Sequence, residues 1–187
     1  EELEDMKATG IVRRVDELGR LVIPKEIRRT MRLAEGTPLE IFTDREGQII
    51  LKKYSPMMEL GSFAKQYAES VAQTMNQKVA VSDRDQIIAV AGGGKRELLG
   101  KTISRQLEEM IINRENSIQA GLDKKTIPLI SGDEDSYSAQ AIYPICCEGD
   151  CIGAVILYSR ENQTHFSETE YKAAACAASF LGKQMEG

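Results

Sequence analysis

Residues 16–29, DELGRLVIPKEIRR, set a turn, a short apolar run, a proline and a cluster of positive charge side by side. Asp16 and Gly19 suit a chain reversal, and the branched residues flanking it, TGIVRRV (9–15) and RLVIP (20–24), suit the two arms of a hairpin. Pro24 fits the first position of a helix, so KEIRRTM (25–31) is expected to make about two turns before AEGTP (34–38) breaks it. PLEIFTD (38–44) and QIILKKY (48–54) then read as a second hairpin around REG. The predicted order is β-β-α-β-β in a segment close to the size at which isolated domains need a metal, a disulfide or a partner. The segment holds neither cysteine nor histidine. Burying its apolar strands against a second copy is the remaining remedy, and an obligate dimer of heads is expected.

On the short helix Lys25, Arg28, Arg29 and Arg32 fall at i, i+3, i+4 and i+7, which predicts one cationic face with Ile27 and Met31 opposite. Like charges at these spacings cost about 0.2–0.5 kcal/mol per pair, and Glu26 is the nearby acid. A solvated face near a helix C-terminus is the plain alternative. Against it, the hairpin adds Arg13, Arg14 and Arg20, with Lys7 just before. From Met6 to Lys53 eleven bases stand against seven acids, whereas from Tyr54 onward thirteen stand against eighteen, within a chain of net charge −5. A basic head on an acidic body, doubled by twofold symmetry, matches the electrostatic footprint of a duplex phosphate backbone. Arginine supplies bidentate contacts to phosphate or guanine. A helix-turn-helix is excluded, because one short helix lies between the hairpins.

The chain changes character at Tyr54-Ser55-Pro56, with Ser55 as a candidate N-cap. Leu60, Phe63, Ala64, Tyr67, Ala68, Val71 and Met75 then repeat as one apolar helix face. KVAVSD (78–83) and IIAVAG (87–92), joined by RDQ, read as strands. A helical stretch at Ile103–Asn113, a strand at TIPLI (126–130), and a hairpin of SAQAIYPIC (138–146) with CIGAVILYS (151–159) follow. The last strand is almost continuously apolar, as for a central strand covered on both faces. Ser167 and Glu170 spell a capping box for a final helix, along which Tyr171, Ala174, Ala175, Ala178, Leu181 and Met185 repeat. Its small alanines allow close approach of another helix.

The stretch TGIVRRVDELGRLVIPKEIRRTMRLAEGTPLEIFTDREGQIILKKY resembles the AbrB-type swapped-hairpin DNA-binding domain along its whole length, and DELGRLVIPKEIRR is its most specific part. The resemblance implies an interlocked dimer sharing a small β-barrel, with DNA contacted by Lys7, Arg13, Arg14, Arg20, Arg28 and Arg29. Lys25 and Arg32 are added from helical spacing. YPICCEGDCIGAVILYS and HFSETEYKAAACAASFLG resemble the closing part of a GAF domain, though the Asn-Lys-Phe-Asp-Glu motif of cyclic-nucleotide binders is absent. With both domains the chain is similar to late-sporulation transcription regulators. That similarity implies a GAF domain joining head dimers into a homotetramer through its helices, and either sensing a small ligand of unknown identity or serving only as structure. The expected fold is therefore α+β: a dimeric swapped-hairpin β-barrel over 6–54, then an α/β GAF domain over 55–187. The expected function is sequence-specific regulation of sporulation genes. The alternative is an antitoxin-like protein-interaction module, since related heads occur in antitoxins.

No enzyme and no cofactor are expected. GGGKR (92–96) lacks the first glycine and the final Ser or Thr of a phosphate loop, and a strand-to-helix bend is the better reading. GDEDS (132–136) lacks calcium-loop spacing. Cys146, Cys147, Cys151 and His165 match no common zinc pattern, and metal is not expected; buried, inert thiols are. A GAF fold hosting thiol-based methionine sulfoxide reduction is the enzymatic alternative. No stretch is long and apolar enough to span a membrane, and EELEDMKATG lacks the features of a signal peptide. Together with cysteine spacing unlike a secreted framework, this predicts a cytoplasmic protein. Met6 reads as a natural start, and residues 1–5 are set outside the fold.

Overall fold

Two loops of the same design shape the first unit. Asp16 Oδ1 accepts from the amides of Leu18 at 2.9 Å and Arg20 at 2.7 Å, while Asp16 and Arg20 close the backbone from N–H to carbonyl at 3.0 Å. Asp44 repeats this, accepting from Glu46 at 3.0 Å and Gln48 at 2.8 Å. In each loop the fourth residue is a glycine at positive φ, Gly19 at 75° and Gly47 at 83°, a conformation that side chains disfavour. A short carboxylate two and four residues before the amides it binds fixes both reversals.

These loops belong to a computed structural model, which describes residues 8–55, 57, 61–120, 126–133, 137–161 and 164–186. The chain divides into two units, Glu1–Tyr54 and Ser55–Gly187. In the first, Asp44 closes an antiparallel hairpin of β1 (Leu39–Thr43) and β2 (Ile49–Lys53), with Ile41 opposite Leu51. The arms of the Asp16 hairpin form no strand ladder among the described residues. The turn is legible in the sequence; the pairing of its arms within one chain is not there.

Helix α1 is Lys25–Thr30, shorter than the two turns expected. Pro24 is its N-cap rather than its first residue, and the Pro24 carbonyl accepts from Arg28 N–H at 2.9 Å. Beyond Met31 the chain turns left-handed at Arg32, φ 51°. Leu33 N–H then reaches the Arg28 carbonyl at 2.7 Å and Arg32 N–H the Arg29 carbonyl at 3.3 Å. This is a Schellman ending, built on arginine where glycine is usual. It corrects the placement of Arg32 on the helical stripe: the helix has ended before that residue.

The second unit is a five-stranded antiparallel sheet in the order β4-β3-β7-β6-β5. Its strands are β3 (Lys78–Asp83), β4 (Ile87–Ala91), β5 (Ser117–Ala120), β6 (Ala139–Cys147) and β7 (Asp150–Ser159). As its apolar run predicts, β7 is central. Period-two alternation sends Val155 and Leu157 into one core, and Ala154, Ile156 and Tyr158 into the other. The first core is closed by α2 (Gly61–Met75) through Ala64, Ala68 and Ala72, and by α5 (Glu168–Gln184) through Ala174, Ala177, Ala178 and Leu181. The second is closed by α3 (Lys95–Leu98) and α4 (Arg105–Ile112) through Leu98, Leu107 and Ile111. Of the expected α2 face, Ala64 and Ala68 are buried and Tyr67, Val71 and Met75 half-buried, Phe63 is exposed, and Leu60 lies outside the described residues.

The Ser167 capping box is formed. Glu170 Oε2 accepts from Ser167 N–H at 2.7 Å, and Ser167 Oγ accepts from Thr169 N–H at 3.2 Å. Burial pushes the Glu170 carboxyl upward, but the Ser167 amide and the Ser167 hydroxyl, which also donates to Oε2 at 2.8 Å, outweigh it and hold its pKa below the ordinary value.

TIPLI is not a sheet strand. The edge position is taken by β5, whose Ser117 faces Ile142 of β6. Pro128 has no N–H to give a ladder. Instead the buried Gln140 side chain mimics a strand, accepting from Ile127 N–H at 2.9 Å and donating to its carbonyl at 2.6 Å. Ser104, the N-cap of α4, donates to the Pro128 carbonyl at 2.6 Å.

Candidate nucleic-acid interface

The short helix α1 has two unlike sides. Ile27 and, past the helix end, Met31 face an open apolar cavity of about 460 Å³ completed by Ile11, Val12, Leu21, Val22, Leu39 and Leu51. Lys25, Arg28 and Arg29 are exposed, as are Arg13, Arg14 and Arg20 on the hairpin, Arg13 at the same time lining the cavity. Six of the eight expected DNA-contacting residues are thus exposed cations on the hairpin and its following helix. Arg32, also exposed, sits in the left-handed turn past α1. Lys7 lies outside the described residues.

Two elements position this set. The Asp16 loop fixes the separation of Arg14 and Arg20 across the reversal, and Pro24 fixes the angle at which α1 leaves it. The sequence contains the signal for the loop, since DELGR and DREGQ share D-x-x-G spacing, but the role of Asp16 as the holder of Arg20 is visible only in the structure. Exposure also explains how so many like charges coexist: in water each guanidinium keeps its hydration, and repulsion is screened over about 8–10 Å.

The other chemical candidates lie in the second unit. Gly92, Gly93 and Gly94 all have positive φ, at 75°, 123° and 81°. A side chain on Gly92 would meet the Gln77 carbonyl, and Gly94 caps the four-residue α3. GGGKR is thus a strand-to-helix bend, as expected. Beside it a cleft of about 430 Å³ is lined by Glu69, Gln73, Val90, Gly93 and Lys95. Arg160 donates to Glu97 of α3 at 2.8 Å and to the Tyr137 hydroxyl at 3.1 Å. Tyr137 donates to Asp133 at 2.5 Å. Burial, reinforced by Asp133, pushes the Tyr137 hydroxyl well above its ordinary pKa, and burial raises Tyr158 to about 12. Both phenols are neutral donors at physiological pH.

The expectation of buried, inert thiols needs correction. Cys151 is buried, but Cys146 is exposed and Cys147 half-buried. Cys146 and Cys151 form a disulfide, leaving Cys147 and Cys176 as free thiols. The β6–β7 register puts the pair face to face, which cysteine spacing alone does not reveal.

No helix among the described residues is long and apolar enough to cross a membrane. Residues 59–186 match the family described as stage V sporulation protein T C-terminal, transcription factor. Residues 12–58 match the antidote-toxin recognition family of MazE, bacterial antitoxin. Stage V sporulation protein T of Bacillus subtilis is 50% identical over 97% of this chain and 99% of its own length. The transition state regulatory protein AbrB of the same organism is 66% identical over 28% of this chain and 54% of its own. Among solved structures, the GAF domain from Acinetobacter phosphoenolpyruvate-protein phosphotransferase superposes with a TM-score of 0.56 at 13% identity, covering 72% of this chain and 84% of that one. This last likeness concerns fold alone. With two thirds of its length matched by the family model and half of its residues shared end to end with a named member, the chain belongs to the stage V sporulation protein T family of transcription factors.

Proposed function

We propose that this chain regulates sporulation genes in the cytoplasm by binding duplex DNA as a dimer of heads. The observation that carries the reading is the division of α1. Its apolar side lies on a cavity whose lining a lone head leaves open to water, and its other side is a row of exposed cations. A second copy supplying the missing apolar cover would leave both rows facing outward, on a shared cationic surface. Arg13, Arg14, Arg20, Lys25, Arg28 and Arg29 are assigned to DNA, with Lys7 and Arg32 as flanking contacts. The second unit joins head dimers through α2 and α5, where Phe63, Cys176 and Phe180 are exposed.

Titration of the full chain with duplex DNA over a range of salt tests this. Log affinity should fall linearly with log salt, at about 0.9 per neutralised phosphate. Affinity insensitive to salt would remove the phosphate-binding assignment. The antitoxin family match over 12–58 supports a second reading, capture of a toxin by the head. It is opposed by an end-to-end relative named as a sporulation protein. Co-purification of a small nuclease with the full chain, together with loss of DNA binding, would favour it.

A further inference from the structure

The β6–β7 hairpin runs in regular register from Ala139 opposite Ser159 to Ile145 opposite Gly153, then slips by one residue. After the slip Cys146 faces Cys151 and Cys147 faces Asp150. Ile152 is the extra residue of this bulge. Unbroken register would set Cys147 against Cys151. The bulge gives Cys146 that place, and the two are bonded.

Exposure separates the two sulfurs by role. Cys146 is exposed, whereas Cys151 is 3% exposed, so a small thiol or disulfide meets Cys146 first. Contacts independent of the bond hold the backbone on both sides. Arg84 Nε donates to the Cys151 carbonyl at 2.6 Å. Gly182 of α5 lies so close to the Cys146 carbonyl that no Cβ fits between them. Opened, the two thiols stay opposed in the ladder and close again at high effective concentration. Cys147 is the poorer competitor: partial burial and the Glu148 and Glu186 carboxylates push its thiol up, which lowers its share of thiolate.

We propose that Cys146 and Cys151 are a reversible redox-modification site that exchanges with low-molecular-weight thiols and disulfides. The Cys146 thiolate attacks one sulfur of a small disulfide, expelling one small thiolate and leaving a mixed disulfide. Cys151, its proton passed to solvent, attacks the Cys146 sulfur and expels the second small thiolate. The protein dithiol loses two electrons and two protons, and the small disulfide gains both as two thiols. Reduction by excess small thiol runs the same steps backward. Intracellular disulfides, where they form, are characteristically transient and redox-sensing.

The test equilibrates the full chain in glutathione buffers from fully reduced to fully oxidised, quenches in acid, denatures and alkylates with iodoacetamide. Of the four cysteines, all should be alkylated on the reduced side and only the two free ones on the oxidised side. Peptide mapping should find a Cys146–Cys151 link. Cys147→Ser should leave the transition in place, and Cys146→Ser should abolish it. Circular dichroism checks that each variant is folded; if Cys146→Ser is not, Cys151→Ser and the peptide map of the unmodified chain carry the test. Four adducts in every buffer, a Cys147–Cys151 link, a link between chains, or glutathione retained on Cys147 or Cys176 alone would each overturn the assignment.

Discussion

Among the described residues of the head only Pro24 is buried, whereas the second unit encloses two cores separated by its sheet. Both units carry similar strand-forming residues, so composition is not what separates them. In the second unit each apolar face of β7 meets a helix of the same chain. In the head Val12 is 82% exposed and Val22 and Ile49 72%, and the arms that carry Val12 and Val22 find no strand partner among the described residues. Burying a valine, leucine or isoleucine is worth about 1.5–3 kcal/mol, and the head forgoes this at many positions within one chain. The second unit closes its cores within one chain; the proposed pairing of heads would do the same for the first.

The largest effect on this contrast is expected from Val22→Lys. On a finished surface, a charge at a residue this exposed changes stability within about 0.5 kcal/mol. At a face covered by a second head it buries an unpaired ammonium, and denaturant melts should show loss of the head's folding by several kcal/mol with the second unit unaffected. Next in size is Arg28→Ala with Arg29→Ala. It should leave association and melting in place, weaken duplex binding, and lower the salt slope by about 0.9 for each phosphate no longer neutralised. Unchanged affinity would make the α1 face merely solvated.

Glu170→Gln tests the self-contained unit. Because folding lowers the Glu170 pKa, the carboxylate's contribution is present above the unfolded value, about 4.3, and is lost as pH falls through the folded one. Glutamine still offers the Ser167 amide an acceptor, so the variant should fold as the parent does but show a shallower loss of stability between neutral and acidic pH. An acid limb identical to that of the unmodified chain would deny the Glu170 charge its role. The smallest effect is expected from Arg32→Gly. A non-glycine residue in the left-handed region costs roughly 1–2 kcal/mol, so the glycine variant should melt no lower than the parent, and by up to about 1 kcal/mol higher. If it also weakens DNA binding, Arg32 serves DNA at the expense of the helix ending.

Local chemistry made much of this legible. The two D-x-x-G loops, the cationic spacing on α1, the central apolar β7 and the Ser167 box each depend on residues within a few positions of one another. What escaped depends on distant partners. TIPLI looks more like a strand than SIQA, yet Gln140 and Ser104 hold it outside the sheet while SIQA takes the edge. Arg32 gave no sign of a left-handed ending because glycine is the usual marker. The Cys146–Cys151 pairing turns on one bulged residue in the partner strand. The arms of the first hairpin look like strands, yet among the described residues they form no strand ladder beyond the Asp16–Arg20 closure.

Sedimentation equilibrium on residues 6–54, with circular dichroism to establish folding, tests the incompleteness of the lone head most directly. A folded dimer across the measurable concentration range, losing structure only as it dissociates, is the expected result. A folded monomer would contradict it.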